Sequence, residues 1–427
     1  MPTKAKNVII VGGSLGGLMS GVMLKHLGHN VQIFERNPTA MLQDLGAGIV
    51  FGPEAQEFFT KHVNIDRPLS VPSHHRQTLA KDGKVIDEND RRQEMVSWDL
   101  LYNVLRACFD GVKSQYCELP KKEEGEGEAK YLYARKVVGV KDFGEGIEVD
   151  YEVNGSDGKQ KEVADLVLAA DGPSSTIRKL LLPDVEREYA GYVAWRGTVP
   201  ENEASGLMKE TFVDNFTFFH APGCQILAYL IPGKNGSISP GSRLMNWVWY
   251  YNYPLDSPEY LDLMTDTSGH QHHFSMPVGK IKPHLQSQIK ETATSILPPA
   301  FSELVRKTEH PFVQCITDVM SPKMSFFGKK LLLVGDAIAG FRPHTAASTS
   351  QAAYDALVLE KMMRGEITVN EMQEEMMGYA RQLAALGIRM GNRSQFGEEG
   401  IDLKAGDDSL KDFLNSTLRG FDRGLGN

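Results

Sequence analysis

Asn7-Val8-Ile9-Ile10-Val11 runs directly into Gly12-Gly13-Ser14-Leu15-Gly16-Gly17, and the reading of this stretch decides the fold. The first five residues are a continuous apolar run of strand length, and Leu15 to Leu27 then carries apolar residues at helical spacing. Val31 to Phe34 is a second strand. Strand, helix and strand within about thirty residues form the smallest unit of a doubly wound parallel sheet. Gly12 permits the tight turn, and Gly17 lets the helix pack closely on the sheet. Ser14 replaces the second glycine of the dinucleotide fingerprint. A pyrophosphate would sit on the positive end of the helix that begins near Ser14. Glu35, which closes the second strand, stands where an adenosine ribose would be held. Alone, the glycines would equally suit an ordinary strand-turn-helix corner.

Working outward, Ala164 to Ala170 and Lys330 to Val334 read as further buried parallel strands, each ending in Gly and Asp. Tyr189 to Pro200, Phe212 to Ile231 and Leu244 to Tyr253 are aromatic-rich and partly alternating, bounded by turn residues. They predict an antiparallel sheet inserted into the first domain. Lys121 to Lys130 is charged and glycine-punctuated, a solvated loop. Ser348 to Arg364 and Val369 to Met390 have helical spacing, and Leu410 to Leu418 suggests one more helix. The expected organisation is a dinucleotide-binding α/β domain over 1–175 and 300–365, a β-sheet substrate domain over 176–299, and a helical segment over 366–427.

The 427 residues are 41% hydrophobic and carry a formal net charge of −9. An acidic balance with scattered Lys and Arg argues against a nucleic-acid partner. Four cysteines, Cys108, Cys117, Cys224 and Cys315, are too few and too dispersed for a disulfide framework or a tetrahedral metal site. A reducing, cytoplasmic location fits best. No apolar stretch approaches membrane-spanning length, so no membrane partner is expected, while a homodimer is left open. His270-x-His272-His273 lies in a polar loop from Thr265 to Phe274, and no metal is expected there.

Two later motifs decide the chemistry: Asp171-Gly172 after one strand, and Gly335-Asp336 after another, the latter followed by Arg342-Pro343-His344 and a helix. With the glycine fingerprint, in this order, the chain resembles the group A flavoprotein monooxygenases, the family of para-hydroxybenzoate hydroxylase, over residues 7 to about 365. Within the family it resembles the dihydroxypyridine hydroxylase branch, through Ser97-Trp98-Asp99, Tyr192-Val193-Ala194-Trp195-Arg196-Gly197, Asn246-Trp247-Val248-Trp249 and Arg342-Pro343-His344.

The resemblance implies a glutathione-reductase-like FAD-binding fold, with FAD bound in extended form, NADPH or NADH as transient reductant, and O2. Gly12 and Gly17 would face the pyrophosphate, Glu35 and Arg36 the adenosine, and Asp336 a ribityl hydroxyl. Gly46 and Gly48 would line the path to the flavin ring, and Asp171 would brace the pyrophosphate side. Ser14, Leu15, Val138, Gly172, Gly335, Pro343, Ala346, Ala347 and Ser348 complete the cofactor-facing set. The family's Pro-x-x-Gly-x-Gly-x-Asn is here Pro343, Ala346, Ser348 and Ser350, a departure that restricts backbone angles glycine would allow. Trp98 replaces an arginine that many relatives aim at the FAD.

The implied reaction is hydroxylation of a small, electron-rich aromatic ring of phenol, hydroxybenzoate or hydroxypyridine type. Its oxygen adduct is destroyed by water, so the inserted sheet should roof the flavin with aromatic side chains. Trp195, Trp247, Trp249 and Tyr251, with Arg196 as an anchor for an anionic substituent, are the substrate-contacting candidates. Since alternate strand residues share a face, only Trp247, Trp249 and Tyr251, or only Val248, Tyr250 and Asn252, can touch substrate. His344 is the first candidate for proton handling, followed by His220 and Tyr229. Competing readings are oxidative decarboxylation or epoxidation on the same scaffold, an NAD(P)-dependent dehydrogenase, which would leave Asp171-Gly172 and Gly335-Asp336 unexplained, and a catalytically idle flavin-binding protein.

Overall fold

The computed structural model describes residues 5–39, 47–156 and 158–397. Asn7–Val11 is a central strand whose apolar side chains are buried from Val8 onward. It lies parallel to Asn30–Phe34 on one side and to Leu166–Ala169 on the other. Leu331–Leu333 and Ala129–Leu132 extend the parallel sheet at either end, and Ser325–Phe326 adds an antiparallel edge. Strands covered on both faces cannot alternate in polarity, which is why the sequence shows continuous apolar runs here. Leu15–His26 and Ser348–Met363 pack on this sheet through one large core. The loop expected up to Lys130 gives way to strand from Ala129.

Among the described residues the second sheet has ten strands. Its centre is Phe312–Met320, Glu188–Pro200, Leu244–Asn252, Cys224–Ile231 and Asn215–Ala221, in that order and antiparallel throughout. Asn215–Ala221 then pairs in parallel with Val71–Leu79, which runs antiparallel to Val85–Ser97, and Gly48–Val50 closes that edge. The sheet is therefore not wholly antiparallel, and it recruits strands from residues 48–97 and 312–320 as well as from 176–299. The sequence signal missed Val71–Leu79 because polar residues fill most of it, and Val85–Ser97 because it is charged and largely exposed until Met95, Val96 and Ser97 at its end are buried. A three-stranded sheet, Arg135–Asp142, Ile147–Val153 and Lys159–Ala164, flanks the assembly.

The last described helix is Val369–Phe396, six residues longer than its spacing indicates, and its N-terminus carries a capping box formed by Thr368 and Glu371. The helix expected over Leu410 to Leu418 lies outside the described residues. Among the described residues no helix is long and apolar enough to cross a membrane.

Candidate active site

The three motifs meet at the carboxyl ends of adjacent parallel strands, where ligands bind in sheets of this type. Val11 is in register with Ala169, and Ala169 with Leu333. A Cβ on Gly12 (φ +103°) would stand 2.4 Å from the Ala170 carbonyl oxygen and 2.9 Å from Asp171 Cα. One on Gly17 would lie 2.0 Å from the Gly12 carbonyl oxygen. Both glycines are thus obligatory, for a turn and for helix packing respectively. Ser14, at the helix N-cap, makes no side-chain cap hydrogen bond, leaving the first-turn amides of Leu15 and its successors available to an acceptor.

Glu35 accepts hydrogen bonds from Gly13 N (3.0 Å) and Asn37 N (2.9 Å), so it sits against the glycine turn, with Arg36 exposed beside it. Val138 is half-buried in the strand Arg135–Asp142, whose first amide bonds to Glu35 O. Asp171 accepts from Ile177 N, while its Oδ1 is buried without a partner. Burial pushes its pKa up against the Ser175 hydroxyl and the Ile177 amide. Gly172 takes a positive φ with open space around it.

The Gly335-Asp336 turn is clamped by two residues of the helix Ser348–Met363. Asp355 accepts from Gly335 N at 2.7 Å, and Gln351 donates to Gly335 O at 2.7 Å. Both side chains are fully buried. Burial holds the Asp355 carboxyl up at about 8. Asp336 is left accepting from the Ser348 hydroxyl at 2.6 Å. Ala346 occupies a left-handed conformation (φ +53°), the geometry that the family's glycine would take without strain, and Ala347 caps the helix. Gly48 donates to Asn246 Oδ1, and a Cβ there would meet Asn246 Nδ2 at 2.6 Å and the Tyr229 hydroxyl at 2.7 Å. Gly46 lies outside the described residues.

Pro343 and His344 form a short turn against the large sheet. His344 Nε2 is 2.9 Å from the Tyr192 hydroxyl and Nδ1 is 3.0 Å from Gln225 Oε1. Gln225 Oε1 also accepts from Ser394 at 2.7 Å. An amide oxygen only accepts, so the network assigns the proton of neutral His344 to Nδ1 and makes Nε2 the acceptor for Tyr192. Burial, then the Arg342 cation, then His220 lower the His344 pKa to about 3, which keeps the ring neutral. Its ring also packs on Tyr250, centroids 4.2 Å apart. Arg342 is committed elsewhere, in a two-pronged pair with Asp318. Tyr229 is buried, with its pKa pushed up to about 12 by burial and eased by Arg196. His220 stacks on Phe218 at the exposed end of the same face.

The faces of the large sheet correct one expectation. Trp195, Trp247 and Trp249 are fully buried on the opposite side, in a core shared with Phe212 and Phe301 from the covering helices. Trp247 donates to Thr308 at 2.9 Å and Trp249 to Cys224 Sγ at 3.2 Å. Tyr251 packs edge-on against Trp249. These four do not face His344; the alternate set, with Val248 and Tyr250, does. Only Arg196 of the substrate-contacting candidates shares the face of Tyr192, Tyr229 and Tyr250. Gln225 was not singled out from the sequence, and Tyr192, Asn246 and Asp355 stood out only through the resemblance, without a site role. Arg196 and Asn246, polar residues inside apolar strands, are the signal that could have fixed the face. The histidine loop is organised by Asp266, whose carboxylate holds Ser268, the His270 amide and His272.

The bare glycine turn, the uncapped helix amides and the partly unpartnered carboxyls of Asp171 and Asp336 fit a long diphosphate cofactor carrying hydroxyls along its chain. Residues 189–318 match a family model described as FAD binding domain-like. The chain is 30% identical to 2,6-dihydroxypyridine 3-monooxygenase of Paenarthrobacter nicotinovorans, over 89% of this chain and 90% of that protein. The solved structure of 2,6-dihydroxypyridine-3-hydroxylase from Arthrobacter nicotinovorans superposes with a TM-score of 0.79 at 28% identity, covering 94% of this chain and 96% of that one. A Klebsiella pneumoniae protein solved with FAD and uric acid shares the fold (TM-score 0.69, 16% identity, 100% of this chain and 98% of that one). A protein this alike in sequence and shape, whose three cofactor motifs converge as they do, belongs to the FAD-dependent aromatic hydroxylases.

Proposed function

We propose that this FAD-dependent monooxygenase hydroxylates a small, hydroxypyridine-like ring lodged between the His344 turn and the aromatic face of the large sheet. The observation that carries the reading is the placement of His344 against Tyr192, Tyr250 and Gln225, on the face that also presents Tyr229 to the Gly48 loop. The balanced reaction consumes NAD(P)H, a proton, dioxygen and the ring, and yields NAD(P)+, water and the hydroxylated ring. The chemistry that bound FAD would supply is two-electron oxidation of the nicotinamide and activation of dioxygen.

The chain's own residues bind, shield and orient. The glycine turn and the first-turn amides would take the diphosphate, Asp336 a ribityl hydroxyl, and Glu35 the adenosine end. Apolar and aromatic side chains on the sheet face, Phe216, Phe218, Leu227, Val248 and Tyr250, exclude water. A neutral His344 with its lone pair at Nε2 accepts the Tyr192 hydroxyl hydrogen bond and fixes its direction, which turns the remaining lone pairs of the Tyr192 oxygen toward a hydroxyl of the ring. Relatives that act on 2,6-dihydroxypyridine and on 6-hydroxynicotinate support a nitrogen-containing ring.

The test is dioxygen uptake by purified holoenzyme with NADH or NADPH and a panel of hydroxypyridines, phenols and aromatic acids, followed by mass analysis of the product. A product that has gained one oxygen atom from isotopically labelled dioxygen supports the reading. Loss of carbon dioxide with that gain indicates oxidative decarboxylation instead, and nicotinamide oxidation that no ring stimulates overturns it.

A further inference from the structure

Arg196 emerges from the strand Glu188–Pro200 onto the face of Tyr192, and its Nε is buried with no hydrogen-bond partner. Its cation lies close enough to Tyr229 and Tyr250 to ease the ionisation of both. Arg196 is half-buried, and a guanidinium whose Nε is withdrawn from solvent normally answers to a carboxylate, because an unmet charged donor removed from water is costly. The acidic residue that shares this face on the neighbouring strand, Asp318, is already held by Arg342.

A second unmet donor stands beside it. Asn246 is paired across the strands with Thr198, two residues from Arg196, and therefore sits diagonally next to it on the same face. Its Oδ1 is taken by Gly48, while Nδ2 is buried without a hydrogen-bond partner of good geometry, close enough to the Tyr229 hydroxyl to ease its ionisation. Two unsatisfied donors, one cationic, beside the Gly48 loop describe a place for an acceptor bearing negative charge.

We propose that Arg196, with Asn246 beside it, binds an anionic oxygen of the substrate ring, either a carboxylate or a deprotonated ring hydroxyl. This rests on the hydroxylase reading for the identity of the ring, and on the two orphan donors for its charge. Arg196 thereby selects ionised rings over neutral ones of the same shape.

The test is calorimetric titration of holoenzyme with 2-hydroxybenzoate, its neutral analogue 2-hydroxybenzamide, and 2,6-dihydroxypyridine. The native protein should bind the benzoate or the dihydroxypyridine about tenfold or more tightly than the benzamide. Arg196→Gln should abolish that preference while leaving benzamide affinity within about twofold, and Arg196→Lys should restore part of it. Tight benzoate binding identifies the carboxylate as the anchor, and tight dihydroxypyridine binding identifies the ring oxide. FAD content of each variant reports that the fold is kept. A preference unchanged in Arg196→Gln, or absent from the native protein, overturns the proposal. Charge preference that depends on Arg196, with no ring ever hydroxylated, would keep the anion subsite and remove the hydroxylase reading.

Discussion

His344 Nε2 accepts the Tyr192 hydroxyl proton at 2.9 Å, across 152 residues of sequence, and this pair ties the turn beside the flavin site to the wall of the substrate chamber. His344→Ala should lower ring-stimulated turnover about tenfold, the scale of losing one hydrogen bond that orients Tyr192. Gln225→Glu adds an anion next to Nδ1 and raises the His344 pKa from its native value near 3. The native profile of kcat should therefore show no His344 limb above about pH 4, and the variant should lose activity as pH falls toward the ordinary histidine range near 6.5. Steady-state rates across pH check both outcomes.

Asp336 points at a hydroxyl, with Ser348 as its present partner. Asp336→Ala removes one acceptor for the ribityl chain and should weaken FAD binding about tenfold, consistent with the loss of one hydrogen bond to a charged group. Flavin fluorescence on titration of apoprotein measures it, and undiminished retention would count against the assignment.

Asp355 ionises near pH 4 in an unfolded chain and near 8 in the folded one. Between those values the folded protein holds more protons, so this group's contribution is intact below pH 4 and is lost as pH rises through 8. Asp355→Asn, which keeps an acceptor for Gly335 N without a charge, should flatten the fall in thermal midpoint between about pH 5 and 8, the span between the unfolded and folded values. Asp355→Ala should cost about 1–3 kcal/mol at acidic pH by leaving the Gly335 amide unmet, a cost that shrinks as pH rises toward 8.

Ala346 bears a side chain in left-handed backbone. Ala346→Gly should relieve that strain, offset by the greater freedom of glycine when unfolded, for a net gain of about 0.5–1 kcal/mol. Differential scanning calorimetry would show the midpoint rising.

Trp247 belongs to the core behind the sheet. Trp247→Phe should cost about 1–2 kcal/mol, mainly through the orphaned Thr308 contact, yet leave substrate affinity unchanged. A change in ring affinity with stability intact would return Trp247 to the binding face.

The parallel sheet was legible because burial on both sides leaves an unbroken apolar run at Val8–Val11, Leu166–Ala169 and Leu331–Leu333. The cofactor loops were legible because close backbone contact requires glycine at 12 and 17. The face of Leu244–Asn252 was not, since Trp247 and Tyr250 are both large, aromatic and buried, and alternation assigns two sets without saying which one meets the cofactor. Gln225 and Ser394 were invisible for another reason: their role exists only through His344, far away in the chain.

The interleaving of the two sheets bears on how the protein is made. Val8 waits for Leu166, Val167 waits for Leu331, and Asn215–Ala221 must find Val71–Leu79, so no early stretch emerging from the ribosome can complete either layer. Such distant pairings slow folding. The coenzyme can be captured only once synthesis has passed Asp336 and the helix Ser348–Met363 that clamps its turn, which makes flavin loading a late event in biogenesis and rules out lifting the nucleotide module from this chain as a single continuous cassette.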